Sequence, residues 1–144
     1  MTLHYEPACA QDADAIFCLS RDLIDRYEDV SLIDYERVLD WVRRKIATNI
    51  AEYTCVFRED QKVGFYRLDT SGELAELDDF YILPRFRGQG IGTNVLRHCI
   101  GSTGNGIFLY VFKENTGAIS LYECMGFTVS KDVGPTRCIM VRNG

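Results

Sequence analysis

Residues able to do chemistry gather in the second half of the chain. Arg87-Gly88-Gln89-Gly90-Ile91-Gly92-Thr93 alternates glycine with other residues, and Ile91, Val95, Leu96, Cys99 and Ile100 continue it with the spacing of a helix. A glycine turn at a helix N-terminus offers bare backbone, unpaired N–H groups and the positive end of the helix dipole, all of which favour an anion. Arg85 and Arg87 add positive charge, and the pattern predicts a phosphate or pyrophosphate ligand. Glu76, Asp78 and Asp79, just upstream, are carboxylates able to act as general bases. Asn115 and Tyr122 place an amide and a phenol on a short helix predicted from Asn115 to Met125.

Known glycine loops discriminate among ligands. A Walker A loop requires Gly-Lys-Ser/Thr, and no such triplet follows here; a dinucleotide fingerprint requires G-x-G-x-x-G early in a βαβ unit, whereas this chain has G-x-G-x-G with Asn94 beyond it, and late. Arg87 to Gly92 instead resembles the R/Q-x-x-G-x-G/A pyrophosphate loop of the GCN5-related N-acetyltransferases (the GNAT superfamily). Asn115, Ala118, Tyr122, Gly126 and Phe127 are similar to that superfamily's second signature, N-x-x-A-x-x-x-Y-x-x-x-G-F. The likeness is close from Glu73 to Phe127 and holds only in outline before that.

The resemblance implies an α/β fold: a mixed, mostly antiparallel sheet flanked by helices, with a bulged central strand and a splayed parallel strand pair. It implies acetyl-CoA as cosubstrate; with only His4 and His98 and no C-x-x-C pair, no metal is expected. By it, the N–H groups of Gly88, Gln89, Gly90, Ile91, Gly92 and Thr93 cradle the pyrophosphate, with Arg87 at the motif's first position. Tyr122 would protonate the departing thiolate, and Asn115 would bond the cofactor or a water, or else cap its helix. Glu76 is the candidate base, with Asp78 and Asp79 in competition at the bulge. Tyr27, Tyr35 and Asp78 would touch substrate; for the two tyrosines, core or lid packing is the competing role.

These residues need elements to hold them. From Ala75 to Leu83 the chain reads as a strand, but apolar residues fall on odd positions at Ala75 and Leu77 and on even ones at Phe80 and Ile82. A slip of one residue near Asp78 and Asp79 marks a β-bulge, which would free backbone groups of Phe80, Tyr81 and Ile82 for an extended ligand. In the family that ligand is the pantetheine arm. Ile107 to Phe112 is nearly all apolar, as in a buried parallel neighbour.

The rest of the chain fits around this unit. His4 to Ala8 predicts a first strand, and a helix starting at Gln11 or Asp12 carries Ile16, Leu19, Leu23 and Tyr27 on one face. A second helix, from about Asp34 to Ile50, has Val38, Val42, Ile46 and Ile50 in a stripe near Trp41. Tyr53 to Arg58 and Lys62 to Leu68 form a hairpin about Glu59-Asp60-Gln61; Phe127 to Val129 and Cys138 to Val141 finish the sheet.

Residues 1–144 read as one domain with 47% hydrophobic and 26% charged residues, an ordinary globular composition. A net charge of −5 argues against a nucleic-acid binder, and no apolar run suits a membrane, so a cytoplasmic protein is expected, as monomer or homodimer. Six scattered cysteines without a C-x-x-C pair read as reduced thiols, with Cys18 and Cys99 on apolar helix faces. Arg85, Arg87 and Arg97 gather near the loop, whereas Asp22, Asp25, Glu28, Asp29, Asp34 and Glu36 crowd the first third. That asymmetry suggests an anionic cofactor and a small cationic amine acceptor, unless the acids are solvated helix faces. Family members that act on protein N-termini commonly carry glutamate five residues before the motif asparagine, where this chain has Tyr110. A peptide acceptor and a non-catalytic acyl-CoA sensor remain the rival readings.

Overall fold

The computed structural model describes residues 1–144. Its strands, β1 (Leu3–Pro7), β2 (Tyr53–Arg58), β3 (Gln61–Asp69), β4 (Ala75–Ile82), β5 (Gly106–Phe112), β6 (Thr128–Val133) and β7 (Arg137–Asn143), form one sheet in the order β1-β2-β3-β4-β5-β7-β6. Only β4 and β5 run parallel. The helices are α1 (Ala13–Tyr27), α2 (Tyr35–Thr48), α3 (Ile91–Gly101) and α4 (Thr116–Cys124). This is the mixed, mostly antiparallel α/β architecture the sequence implied.

Local chemistry sets the helix starts. Asp34 caps α2 by accepting from the Arg37 N–H at 3.2 Å, and Asn115 caps α4 by accepting from the Ala118 N–H at 3.3 Å. On α1 the buried stripe is Ile16, Phe17, Leu19, Ser20 and Ile24, so Leu23 and Tyr27 lie at its half-buried margin. On α2, Val42 and Ile46 are buried, whereas Trp41 is 57% exposed. All six cysteines are unpaired; Cys99 is buried, but Cys18 faces outward, against the expectation for its helix. No helix is long and apolar enough to cross a membrane.

Each face of the sheet buries a core. Ala75, Leu77, Ile107, Leu109, Val111 and Met140 pack with α3 and α4 on one side, and Tyr53, Phe65 and Tyr81 with α1 and α2 on the other. The bulge falls where the hydrophobic period slips. Between the Phe65–Tyr81 and Arg67–Asp78 pairs the register shifts by one residue, and Asp79 adopts a left-handed backbone with φ of 47°. Ala75, Leu77, Phe80 and Ile82 therefore all face the α3–α4 core, although their numbers change parity.

β4 and β5 pair only at Ala75–Ile107 and Glu76–Phe108, then diverge toward their C-terminal ends. This is the splayed parallel pair. Burial of β5 is less complete than its apolar letters suggest: Ile107, Leu109 and Val111 are buried, whereas Phe108 is half-buried and Tyr110 is 43% exposed. Those two residues alternate onto the α1–α2 side, where the helices cover other strands.

Candidate active site

The loop after β4 keeps an open face. Gly88 and Gly90 have φ of 75° and 81°, which glycine adopts without strain, and a Cβ on either would meet nothing within 4 Å. Gly90 is the N-cap of α3 and supplies no capping side chain, so the first-turn N–H groups point to where an anion would sit. Gly92 packs differently: a Cβ there would come within 3.4 Å of Leu121 and 3.8 Å of Phe80, because the head of α3 is pressed against β4 and α4.

Side chains brace the loop from outside. Arg58 Nη1 donates to Gln89 Oε1 at 2.8 Å, Gln89 Nε2 donates to the Arg85 carbonyl at 3.3 Å, and Arg87 Nε donates to the Ile82 carbonyl at 2.9 Å. The guanidiniums of Arg58 and Arg85 lie 5.5 and 4.8 Å from the Phe86 ring. Positive charge at the loop thus comes from Arg58, Arg85 and Arg87. Arg97 sits six residues along α3, about 9 Å from its start. Arg58 went unnoticed in the sequence because only the β2–β3 hairpin brings it here.

The gap between β4 and β5 begins at the same place. The Leu83 N–H donates to the Val63 carbonyl at 2.8 Å, so odd-numbered residues at this end of β4 turn their backbone groups toward β3. Ile82 and, by alternation, Phe80 turn theirs toward the gap. Those of Tyr81 belong to the ladder with Phe65, and its side chain lies in the α1–α2 core.

Tyr122 on α4 is buried in the α3–α4 core, with its ring 5.7 Å from Phe127. Burial first, then the neighbouring Cys99, pushes its phenol above the ordinary tyrosine range, so the proton stays on the oxygen at neutral pH. Asn115 uses its side-chain oxygen to cap α4.

The three carboxylates differ sharply in surroundings. Asp79 is buried; its oxygens accept from Tyr53 Oη and from Tyr81 Oη at 2.8 Å, and Lys45 Nζ lies 3.0 Å away. Asp78 pairs with the same Lys45 at 3.0 Å and with Arg67 at 3.2 Å, and Arg67 also holds Glu52 and Asp69. Glu76 is half-buried on this side and belongs to none of these ion pairs. Its carboxyl is raised above the usual range, first by desolvation and then by Asp78, against the opposing pull of Arg67 and Lys45. Of the three, Glu76 is the one able to accept a proton without breaking an existing bond.

Comparison with known proteins settles the family. The model of the Acetyltransferase (GNAT) family matches residues 18–127. The chain belongs to this family. It is 28% identical over 120 residues to a peptidyl-lysine N-acetyltransferase, YjaB, of Salmonella typhimurium, which covers 83% of this chain and 79% of that one. Its fold matches the PaiA N-acetyltransferase of Thermoplasma acidophilum, solved with coenzyme A, at a TM-score of 0.74, 19% identity and 100% coverage of both chains. It also matches the ribosomal-protein-S18-alanine N-acetyltransferase of Escherichia coli at a TM-score of 0.67 and 19% identity, covering 99% of this chain and 94% of that one. The protein is a GNAT N-acetyltransferase with acetyl-CoA as its cosubstrate.

Other residues proposed from the sequence lie at the α1–α2 end of this acetyltransferase. Tyr27 packs on Phe112 with ring centroids 5.9 Å apart, and Tyr35 Oη donates to Asp25 at 2.6 Å. Several acids of the first third have local structural tasks: Asp29 accepts from the Ser31 N–H at 3.1 Å, Asp34 caps α2, and Glu28 accepts from the Thr136 hydroxyl.

Proposed function

We propose that this acetyltransferase transfers acetyl from acetyl-CoA to a primary amine on a small cationic molecule, by direct attack in a ternary complex. One observation carries the reading: an open anion-binding loop at one end of β4 and an unpaired carboxylate, Glu76, toward the other, with the β4–β5 gap between them. The N–H groups from Gly88 to Thr93 hold the pyrophosphate, joined by an Arg87 side chain that leaves Ile82. Backbone groups of Phe80 and Ile82 hold the pantetheine arm. Glu76 takes a proton from the ammonium, the free nitrogen attacks the thioester carbonyl carbon, and the C–S bond breaks as Tyr122 protonates the sulfur; the second proton lost by the nitrogen restores the Tyr122 phenol through water, and Glu76 returns its proton to solvent. Asp78 fixes the charge beside Glu76, and Asp79 holds the bulge. A cytoplasmic location fits six unpaired cysteines.

Thiol release from acetyl-CoA, measured across polyamines, aminoglycosides, amino acids and peptides, tests the reading. Turnover with small amines supports it. Coenzyme A binding without turnover on any amine would make the protein a sensor. A lysine acceptor in a peptide is the second reading, favoured by the name of the Salmonella relative. Acetylation of basic peptides with indifference to small amines would select it.

A further inference from the structure

The side of the sheet that carries Glu76 is only partly roofed. Glu76 pairs in register with Phe108, and Tyr110, two residues on, lies where β4 and β5 have already separated. Because Ile107, Leu109 and Val111 are buried against α3 and α4, Phe108 and Tyr110 project onto the same side as Glu76. Their rings are 6.2 Å apart. On β7 their register partners Val141 and Ile139 are half-buried on the same side, which extends the apolar strip. Neither α1 nor α2 roofs this strip, and Tyr110 remains 43% exposed. An apolar strip left open beside a carboxylate marks a ligand surface.

The charges at its two ends are opposite. Glu76 stands at one end without an ion pair, and Arg137 places its guanidinium 5.5 Å from the Tyr110 ring at the other. A ligand with one ammonium and an apolar body matches this order: nitrogen at Glu76, body on the rings. A polyamine would bring its second ammonium toward Arg137. We propose that the acceptor is a primary monoamine on an aromatic or aliphatic body, and that Phe108 and Tyr110 select it. This specifies the acceptor within the reading given above and rests on it.

The test uses the full chain with acetyl-CoA and three acceptors: 2-phenylethylamine, spermidine and a lysine-containing basic peptide. The expected result is a kcat/KM for 2-phenylethylamine about ten-fold or more above that for spermidine. Tyr110→Ala and Phe108→Ala should each raise its KM by about ten-fold while leaving coenzyme A affinity unchanged. Arg137→Ala should improve spermidine turnover. Preference of the wild type for spermidine, or ring variants with unaltered KM, would overturn this proposal alone. Preference for the peptide would overturn both it and the small-molecule reading, as would coenzyme A binding with no turnover on any of the three. A dimer that Tyr110→Ala dissociates, with the phenylethylamine KM unmoved, would assign the strip to a second copy of the chain and overturn the proposal as well.

Discussion

Lys45 on α2 reaches across the sheet face to Asp79 at the bulge of β4, with Nζ and Oδ2 3.0 Å apart. Both side chains are mostly shielded, at 15% and 5% exposure, and Tyr53 and Tyr81 donate to the same carboxylate. This pair ties a helix to the one residue of the strand held at φ of 47°. Burial alone would lower the lysine's pKa, but the attraction of Asp79 and Asp78 outweighs it and the net shift is upward. Asp79→Ala leaves Lys45 with Asp78 alone, strips two phenols of their acceptor and places alanine in a left-handed conformation. A loss of about 3–5 kcal/mol is expected, read as a fall in the urea midpoint. Asp79→Asn should cost less, because asparagine tolerates that backbone and still accepts from Tyr53.

Glu76→Gln should lower turnover by about 100-fold or more while coenzyme A affinity is unchanged. The pH profile gives a finer test. A base must be ionised to work, and desolvation and Asp78 raise the Glu76 carboxyl above its ordinary value, so the acid limb should lie above the range of an ordinary glutamate. Activity should climb as pH rises through it. Asp78→Asn removes a like charge and should move the limb down; Lys45→Gln removes an opposite charge and should move it up. Two shifts of the same sign, or no acid limb change in Glu76→Gln, would show that another group takes the proton.

How far the sequence disclosed this site depends on the range of the interaction. The glycine turn, the capping amide of Asn115 and the bulge were legible because each is written within a few consecutive residues; the parity change from Leu77 to Phe80 located the bulge. The contacts of Lys45 and Tyr53 with Asp79, of Arg58 with Gln89 and of Arg67 with Asp78 were not legible, because they span 11 to 34 positions and only the tertiary fold brings them together. The run from Ile107 to Phe112 was misjudged for a related reason. Hydrophobic letters show what can be buried, and the helices overhead decide which of them are. Insertion of β7 between β5 and β6 likewise left no local trace.

Tyr122→Phe should retain coenzyme A binding and lose turnover. Burial holds the proton more tightly than in an ordinary phenol, so transfer to sulfur is driven by the thiolate's basicity in the same dry setting. Stability should change little, since the ring still packs on Phe127. Calorimetry with coenzyme A beside a thiol-release assay separates the two quantities; equal losses in both would make Tyr122 a packing residue.

The loop can be tested by adding one methyl group at two positions. Gly90→Ala meets no neighbour within 4 Å, so its effect comes from φ of 81° and from covering the first-turn N–H groups of α3. A strain of about 1–2 kcal/mol is expected, with a larger fall in coenzyme A affinity than in stability. Gly64→Ala, in contrast, drives its Cβ into the Tyr81 carbonyl oxygen across the β3–β4 ladder, where only backbone can give way. It should destabilise the fold throughout, lowering the urea midpoint and the yield of folded protein. Coenzyme A affinity per folded molecule would fall only as far as the displaced strand carries Ile82 from its place at the gap. A Gly64→Ala protein as stable as wild type would mean that β3 and β4 do not approach so closely there, and the register that places Tyr81 opposite Phe65 would lose its support.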